Sequence, residues 1–342
     1  MSSLSVFPIL KLPILCIESI LNQFEVYDKI NISLLSKKCH WILKRLTKPT
    51  LWCLKVQIKK NYAEVIFVLK TNQNYGSWIF DFGELEKLTP IQHTINGCNM
   101  DYGEHLRFYP FRFTDPQQTL KSAISYFMDL FNIHVRRVNI APDEFPNTRK
   151  FIFPGCNQCE KVRITGNIPI KTYMLKHFLE SFKITECLSF NIPFESDFYL
   201  DPIHFAKDEI HFLNSSSNWI TRDVFFNLKN QRIQMYDCDI SKVNVKDFEL
   251  FVDRWYHSND TEFEILVMMW NVFPGILDIE RFNPMPWDKN KRSKSIIVHP
   301  DFEIDCSEGM DIERSDGSLA TVSKRINNMI LFYVWNGPKT CF

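Results

Sequence analysis

Between Leu12 and Leu46 the apolar residues fall at helical spacing. Ile14, Ile17 and Leu21, with Glu18, Asn22 and Gln23 among them, predict an amphipathic first helix, and Pro13 suits its first turn, where a missing N–H is no loss. A second helix is expected after Asp28, where Ile30 and Leu34 lie four apart. Ser36 is placed to cap a third, in which Cys39, Ile42, Leu43 and Leu46 stand at i, i+3, i+4 and i+7. Three short helices bury little surface, so they should lean on a partner or on the residues that follow. Past Lys48 the period shortens to two. Runs at 51–58, 63–69 and 78–82 read as strands of an antiparallel meander with a turn at 72–77, whereas 89–110 shows no period and reads as loop. Asp115-Pro116-Gln117-Gln118 then opens a helix that carries Leu120, Ala123, Ile124, Phe127 and Phe131 as its stripe.

From there, apolar pairs separated by one residue recur as Val138/Ile140, Val162/Ile164, Leu188/Phe190, Ile210/Phe212, Ile233/Met235 and Ile265/Val267. Their first members lie 24, 26, 22, 23 and 32 residues apart. Helical stripes run between several pairs: one holds Met174, Leu175, Phe178 and Leu179, one is capped by Thr221, and one is led by Asn244 with Asp247 three residues on. Strand, crossover and parallel strand at this interval predict a leucine-rich-repeat-like solenoid. An ordinary open α/β sheet is the alternative, and in both the strands are parallel. The residues inside the pairs are Asn139, Arg163, Ser189, His211, Gln234 and Leu266, so stacked strands line up a mostly polar strip suited to holding a protein. Arg163, Ser189, His211 and Gln234 are its candidate contacts, with Arg163 and His211 the best anchors. Further on, Lys289, Lys291, Arg292 and Lys294 form a basic run that reads as a solvated loop. Asp316-Gly317 predicts a hairpin within 309–322, and a last strand is expected from Met329 to Trp335, antiparallel elements that close an open sheet edge.

Composition narrows the chemistry. With 40 basic and 40 acidic residues among 342, the chain has no net field to draw in nucleic acid. Only 10 glycines occur, and GxGxxG, GxxxxGK[ST] and GxSxG are all missing, which counts against the common nucleotide-binding and hydrolase classes. No apolar run approaches the roughly 20 residues of a membrane span, and Lys11 with two prolines breaks the one stretch that resembles a secretory signal. No membrane partner is expected. Ten scattered cysteines then predict reduced thiols and a cytoplasmic or nuclear location. Cys156 and Cys159 have metal-ligand spacing, but a structural zinc site needs four ligands, with only Cys187 and His177 to be recruited; core thiols, no metal and no cofactor are the expectation. Cys39 and His40, adjacent on a helix, point about 100° apart and make no dyad. Asp197 and Asp201, beside aromatics in a loop, read as caps.

Two stretches resemble known families. Leu12-Pro13, the aliphatic Ile17 to Leu21, Asp28 and Ser36-Lys37-Lys38 resemble the F-box, with one departure: Cys39 and His40 precede Trp41 and shift the usual aromatic. Trp219-Ile220-Thr221, Arg232 to Tyr236, Asn244 to Trp255 and the aliphatic strand from Glu264 resemble the type 2 F-box-associated domain of nematode F-box proteins, and 305–322 is similar to its closing hairpin. The resemblance implies an α/β chain with a three-helix F-box at 7–48 and an F-box-associated substrate-binding domain at 49–342. The latter comprises a β meander (49–115), leucine-rich-repeat-like strand/helix repeats (116–275) and closing antiparallel strands (296–335). It also implies a non-enzymatic substrate-recognition adaptor of a cullin-based, SCF-type ubiquitin ligase. In that role Leu10, Leu12, Pro13, Ile17, Ile20, Leu21, Ile30 and Leu34 dock the Skp-type linker subunit, and the larger domain holds a protein substrate. A protein-binding repeat scaffold independent of ubiquitin, and an enzyme with an unrecognised site within 187–270, are the other readings.

Overall fold

The computed structural model describes residues 11–48, 50–59, 62–81, 91–95, 98–102, 116–142, 155–272, 275–299, 302–325 and 328–335. The protein is mixed α/β: an N-terminal helical stretch leads into a region made mostly of sheet, and among the described residues no sheet closes on itself. Two compact units divide the chain, Met1–Thr148 with Ile152–Cys159, and Arg149–Phe151 with Glu160–Phe342.

In the first unit, α1 (Ile14–Gln23), α2 (Val26–Leu34) and α3 (Lys37–Leu46) bury Ile17, Leu21, Val26, Ile30, Cys39, Ile42 and Leu43. Ser36 caps α3 as expected, its Oγ accepting from the Cys39 N–H at 3.1 Å. α2 starts earlier than expected. Asp28 lies within its first turn and accepts from the Glu25 N–H at 3.3 Å, so it marks the inside of the helix and not the residue before it. β1 (Leu51–Ile58), β2 (Tyr62–Leu69) and β3 (Asn74–Asp81) form the antiparallel meander. Its turn is tighter than 72–77: the Leu69 N–H donates to Gln73 O, and Asn72 takes a φ of 63° that asparagine tolerates. The stretch read as loop contains an antiparallel pair, β4 (Ile91–Ile95) and β5 (Cys98–Tyr102). In α4 (Pro116–Phe131), Leu120, Ala123, Ile124 and Phe127 are fully buried, and Asp115, the expected cap, lies outside the described residues. β6 (His134–Ile140) pairs parallel with β1.

α2 and α3 are tied to this sheet and to α4, and α1 packs on α3. Tyr27 Oη donates to Ser77 O at 3.1 Å, Ser33 Oγ lies 2.6 Å from Tyr126 Oη, and Asp129 receives His40 Nε2 at 2.8 Å together with Lys44. Gly76 permits the approach, because a Cβ there would stand 2.3 Å from Tyr27 Oη. The support that short helices need therefore comes from the meander within the same unit.

The second unit contains β7 (Gln158–Thr165) from Glu160 on, α5 (Thr172–Ser181), β8 (Lys183–Asn191), β9 (Glu209–Phe212), α6 (Arg222–Asn227), β10 (Arg232–Cys238), α7 (Val245–Tyr256) and β11 (Ile265–Trp270). β8, β9, β10 and β11 are consecutive parallel neighbours, with Leu188, Ile210, Ile233 and Leu266 in one row. Thr221 Oγ1 accepts from the Val224 N–H, and Asn244 and Asp247 bond reciprocally, capping α6 and α7 as expected. The chain continues through β12 (Met285–Pro286), β13 (Ser295–His299), β14 (Phe302–Asp305), β15 (Met310–Glu313), β16 (Leu319–Arg325) and β17 (Met329–Val334). β17 pairs antiparallel with β11, followed outward by β16, β15 and the two-residue β12. The hairpin thus extends the array antiparallel and leaves the sheet open.

One face of this array carries helices. Phe251 and Trp255 of α7 lie 6.5 and 5.2 Å from Phe332, which shares a row with Leu266. On the same side Phe190 and Phe212 stack at 5.5 Å and meet Phe205, whose full burial, like theirs, contributes about 1.5–3 kcal/mol per side chain. β11 departs from the expected phase. Ile265 and Val267 face the other way, into a cluster with Ile296, Ile304, Cys306 and Leu331, while Leu266 sits fully buried on the helix side. Both faces of this strand are apolar, so alternation carries no phase.

The basic run is a loop exposed at Lys289, Lys291 and Lys294, as expected, but Arg292 is not solvated. Arg292 has a side chain only 1% exposed, and its Nε meets both carboxylate oxygens of Asp311 at 2.8 Å. Its Nη2 donates to Cys306 O at 2.9 Å, while Thr321 Oγ1 donates to Asp311 and accepts from Trp335 Nε1, both at 2.7 Å. Lys291 pairs with Glu313 and Lys294 with Asp305, each at 2.8 Å. A buried charge is tolerated only with such complete pairing, which makes this network a clamp between the basic run and β15.

Candidate functional site

The sheet face opposite the helices is polar across β8, β9 and β10. Because the strands are parallel and in register, Cys187, Glu209 and Arg232 form one row and Ser189, His211 and Gln234 the next. Three of the four predicted substrate contacts are thus brought side by side. Ser189 and Gln234 are only 7% exposed, His211 is half-buried, and Arg163, on β7, is exposed. One of the other two members expected in the strip faces away. Leu266 is on the helix side, its place taken by Val267, and Asn139 belongs to the first unit.

The half-buried polar groups are organised in pairs. His211 Nε2 and Glu209 Oε1 lie 2.8 Å apart, Arg232 Nε meets Glu264 Oε2 at 2.6 Å, and Lys161 Nζ approaches Glu186 Oε2 at 3.6 Å. Tyr236 Oη donates to Gln234 Oε1 at 3.2 Å, and burial raises the Tyr236 phenol above its ordinary value. Burial by itself would also raise Glu209. The His211 hydrogen bond and charge, with Lys161 and Arg232 farther out, outweigh it and bring the carboxyl down to about 2. Cys187 Sγ joins this pair, so that one ligand atom each from Cys187, Glu209 and His211 lies within 4.8 Å of the others. Cys187 and Glu209 were not among the predicted contacts. They stand two residues before Ser189 and His211 on the same strands, so the period of two that selected the latter also points to them.

Other candidates of the sequence resolve as structure. Burial pushes the Cys156 thiol up to about 12, leaving it protonated and inert, and Cys159 is buried. His177 is exposed on α5. Cys39 is core, His40 pairs with Asp129, and Asp201 accepts from the Ile203 N–H. On α6 and α7, Arg222, Phe226, Leu250 and Arg254 line a groove of about 420 Å3, with Arg254 lying 4.0 Å over the Phe226 ring.

On the helical stretch, Ile17, Leu21 and Ile30 are buried in the unit's own core, Leu12, Ile20 and Leu34 are half-buried, Pro13 is exposed, and Leu10 lies outside the described residues. The apolar side chains left in solvent are Ile14, Leu15, Leu35 and Trp41, exposed by 60, 74, 69 and 53%. No helix among the described residues is long and apolar enough to cross a membrane.

Two uncharacterized proteins of Caenorhabditis elegans are each 24% identical to this chain, over 354 and 349 residues. Both alignments cover 97% of the chain, with 78 and 94% of the relatives' own lengths. A third, also uncharacterized and from the same organism, is 28% identical over 195 residues, 54% of this chain and 44% of its own length. No family model matches the sequence, and no solved structure matches it.

Proposed function

We infer that the chain is a substrate-recognition adaptor of an SCF-type ubiquitin ligase and not an enzyme: the helical stretch docks a Skp-type linker, and the second unit holds a protein to be modified. The observation that carries this reading is the set of large apolar side chains on α1 to α3 that the unit's own core leaves in water. Four such residues within 28 positions, on helices already anchored to a sheet, suit a partner's apolar groove. Ile17, Leu21 and Ile30 then act by holding the helices in place, while Pro13, Ile14, Leu15, Leu35 and Trp41 make the contact. In the second unit, β7 to β11 with their crossovers act as leucine-rich-repeat-like units, whose polar strip from Arg163 to Gln234 faces the substrate. Relatives of similar extent in a nematode are in keeping with the nematode-type resemblance of the sequence.

The experiment is co-purification of the full chain with a Skp-type linker, followed by mass spectrometry of whatever else stays bound. A stable complex that is lost when Leu12 and Pro13 are both replaced by alanine, in a chain that remains folded, supports the adaptor. A folded chain that captures other proteins and ignores the linker supports the scaffold independent of ubiquitin.

A further inference from the structure

We propose that Cys187, Glu209 and His211 form a binding site for a divalent transition metal ion of the zinc type, with one coordination position left open on the polar strip. The site is built by the sheet itself. Cys187 and Glu209 are register partners on adjacent parallel strands, and His211 follows Glu209 on the same face, so three side chains converge without any loop to position them. Their donor atoms lie within 4.8 Å of one another. Around a tetrahedral zinc the same atoms sit about 3.5 Å apart, as follows from zinc–sulfur and zinc–nitrogen bond lengths near 2.3 and 2.0 Å. The closure needed is that of side-chain rotation on a fixed backbone.

The donor set selects the ion. A thiolate, an imidazole and a carboxylate together favour zinc and its neighbours over magnesium or calcium, which avoid sulfur. Thiolate and carboxylate also supply two negative charges to a dication. The nearest cations do not oppose it fully, since Arg232 is held by Glu264 and Lys161 by Glu186. Binding releases the Cys187 thiol proton to solvent and exchanges the hydrogen bond between His211 and Glu209 for two bonds to the metal, with the imidazole proton on the nitrogen turned away from the ion. Three protein ligands leave a fourth position for water or for a donor atom of a bound partner, next to Ser189 and Gln234. The inference stands on the second unit alone and is independent of linker docking.

The test uses the full chain, stripped with a chelator and titrated with Co2+ and then Zn2+. The expected result is one equivalent of Co2+ bound with a thiolate-to-cobalt charge-transfer band in the near ultraviolet. Zn2+ should bleach that band, and Cys187→Ser should abolish it. Glu209→Gln and His211→Gln should each remove stoichiometric binding. Because Cys187 is buried, each variant is checked by circular dichroism, and a second readout needs no variant: Zn2+ should protect Cys187 of the parent chain from iodoacetamide, as read by mass spectrometry. No stoichiometric cobalt binding, a thiolate band that survives Cys187→Ser and so belongs to other cysteines, or alkylation of Cys187 at the same rate with and without Zn2+ would each overturn the proposal.

Discussion

Two halves of one sheet face differ along the same rows. The row of Ser189, His211 and Gln234 continues on β11, β17 and β16 as Val267, Leu331 and Ser323, and the row of Cys187, Glu209 and Arg232 continues as Ile265, Tyr333 and Thr321. Over the second half Ile296, Ile304 and Cys306 of the β13–β14 segment complete an apolar cluster, with the Arg292–Asp311 pair at its border. In the first half, titratable side chains bond to one another. Ser189 and Gln234 are only 7% exposed, so their polarity is not that of an ordinary solvated strand. Polar groups kept at this depth cost free energy unless they have partners, as Gln234 has in Tyr236.

The clamp on the apolar half carries the largest expected effect. Asp311→Ala leaves Arg292 buried without its partner and should destabilise the chain by about 3–5 kcal/mol in urea unfolding, whereas Arg292→Met with Asp311→Leu should recover most of that. Leu331→Ala opens a cavity under the β13–β14 segment, and a loss of about 3 kcal/mol is expected. The polar half should respond to acid instead. Glu209 titrates lower in the folded chain than its ordinary 4.5, so its contribution is complete above that pH and is lost as pH falls toward about 2. Comparing the parent with Glu209→Gln across this window, with chelator present, should show about 2 kcal/mol of extra acid loss in the parent. An identical pH dependence would mean that the His211–Glu209 pair contributes nothing to stability. Arg163→Ala, at an exposed position, should change stability by less than about 0.5 kcal/mol. Combined with His211→Ala it should alter which proteins the chain captures; an unchanged captured set would place the substrate elsewhere, with the Arg222–Arg254 groove the next region to test.

What the sequence made legible follows the physics of each stretch. β1, α6 and α7 were readable because alternation, Thr221 and Asn244 with Asp247 each give a local signal. The parallel order of β8 to β11 was readable from the recurring pairs. β11 slipped by one residue because both of its faces are buried, and β4 and β5 offered no period at all. Within the basic run Lys289, Lys291 and Lys294 are exposed as charge density suggests, but Arg292 is not, because charge density says nothing of pairing: Asp311, 19 residues away, decides that Arg292 is buried. Of the candidate site, Ser189, His211 and Gln234 were found by their place between apolar residues. The same period of two puts Cys187 and Glu209 on that face, but that the two stand side by side depends on register between two strands, which one strand's pattern does not contain.

The measurement that bears most directly on the adaptor reading is calorimetric titration of a purified Skp-type linker into the full chain, parent against the double variant Leu15→Asp with Trp41→Asp. A saturable one-to-one complex is expected for the parent and none for the variant, with both showing the same circular dichroism and the same urea midpoint. A folded parent that gives no binding heat and no complex, or a variant that binds as tightly as the parent, would contradict it.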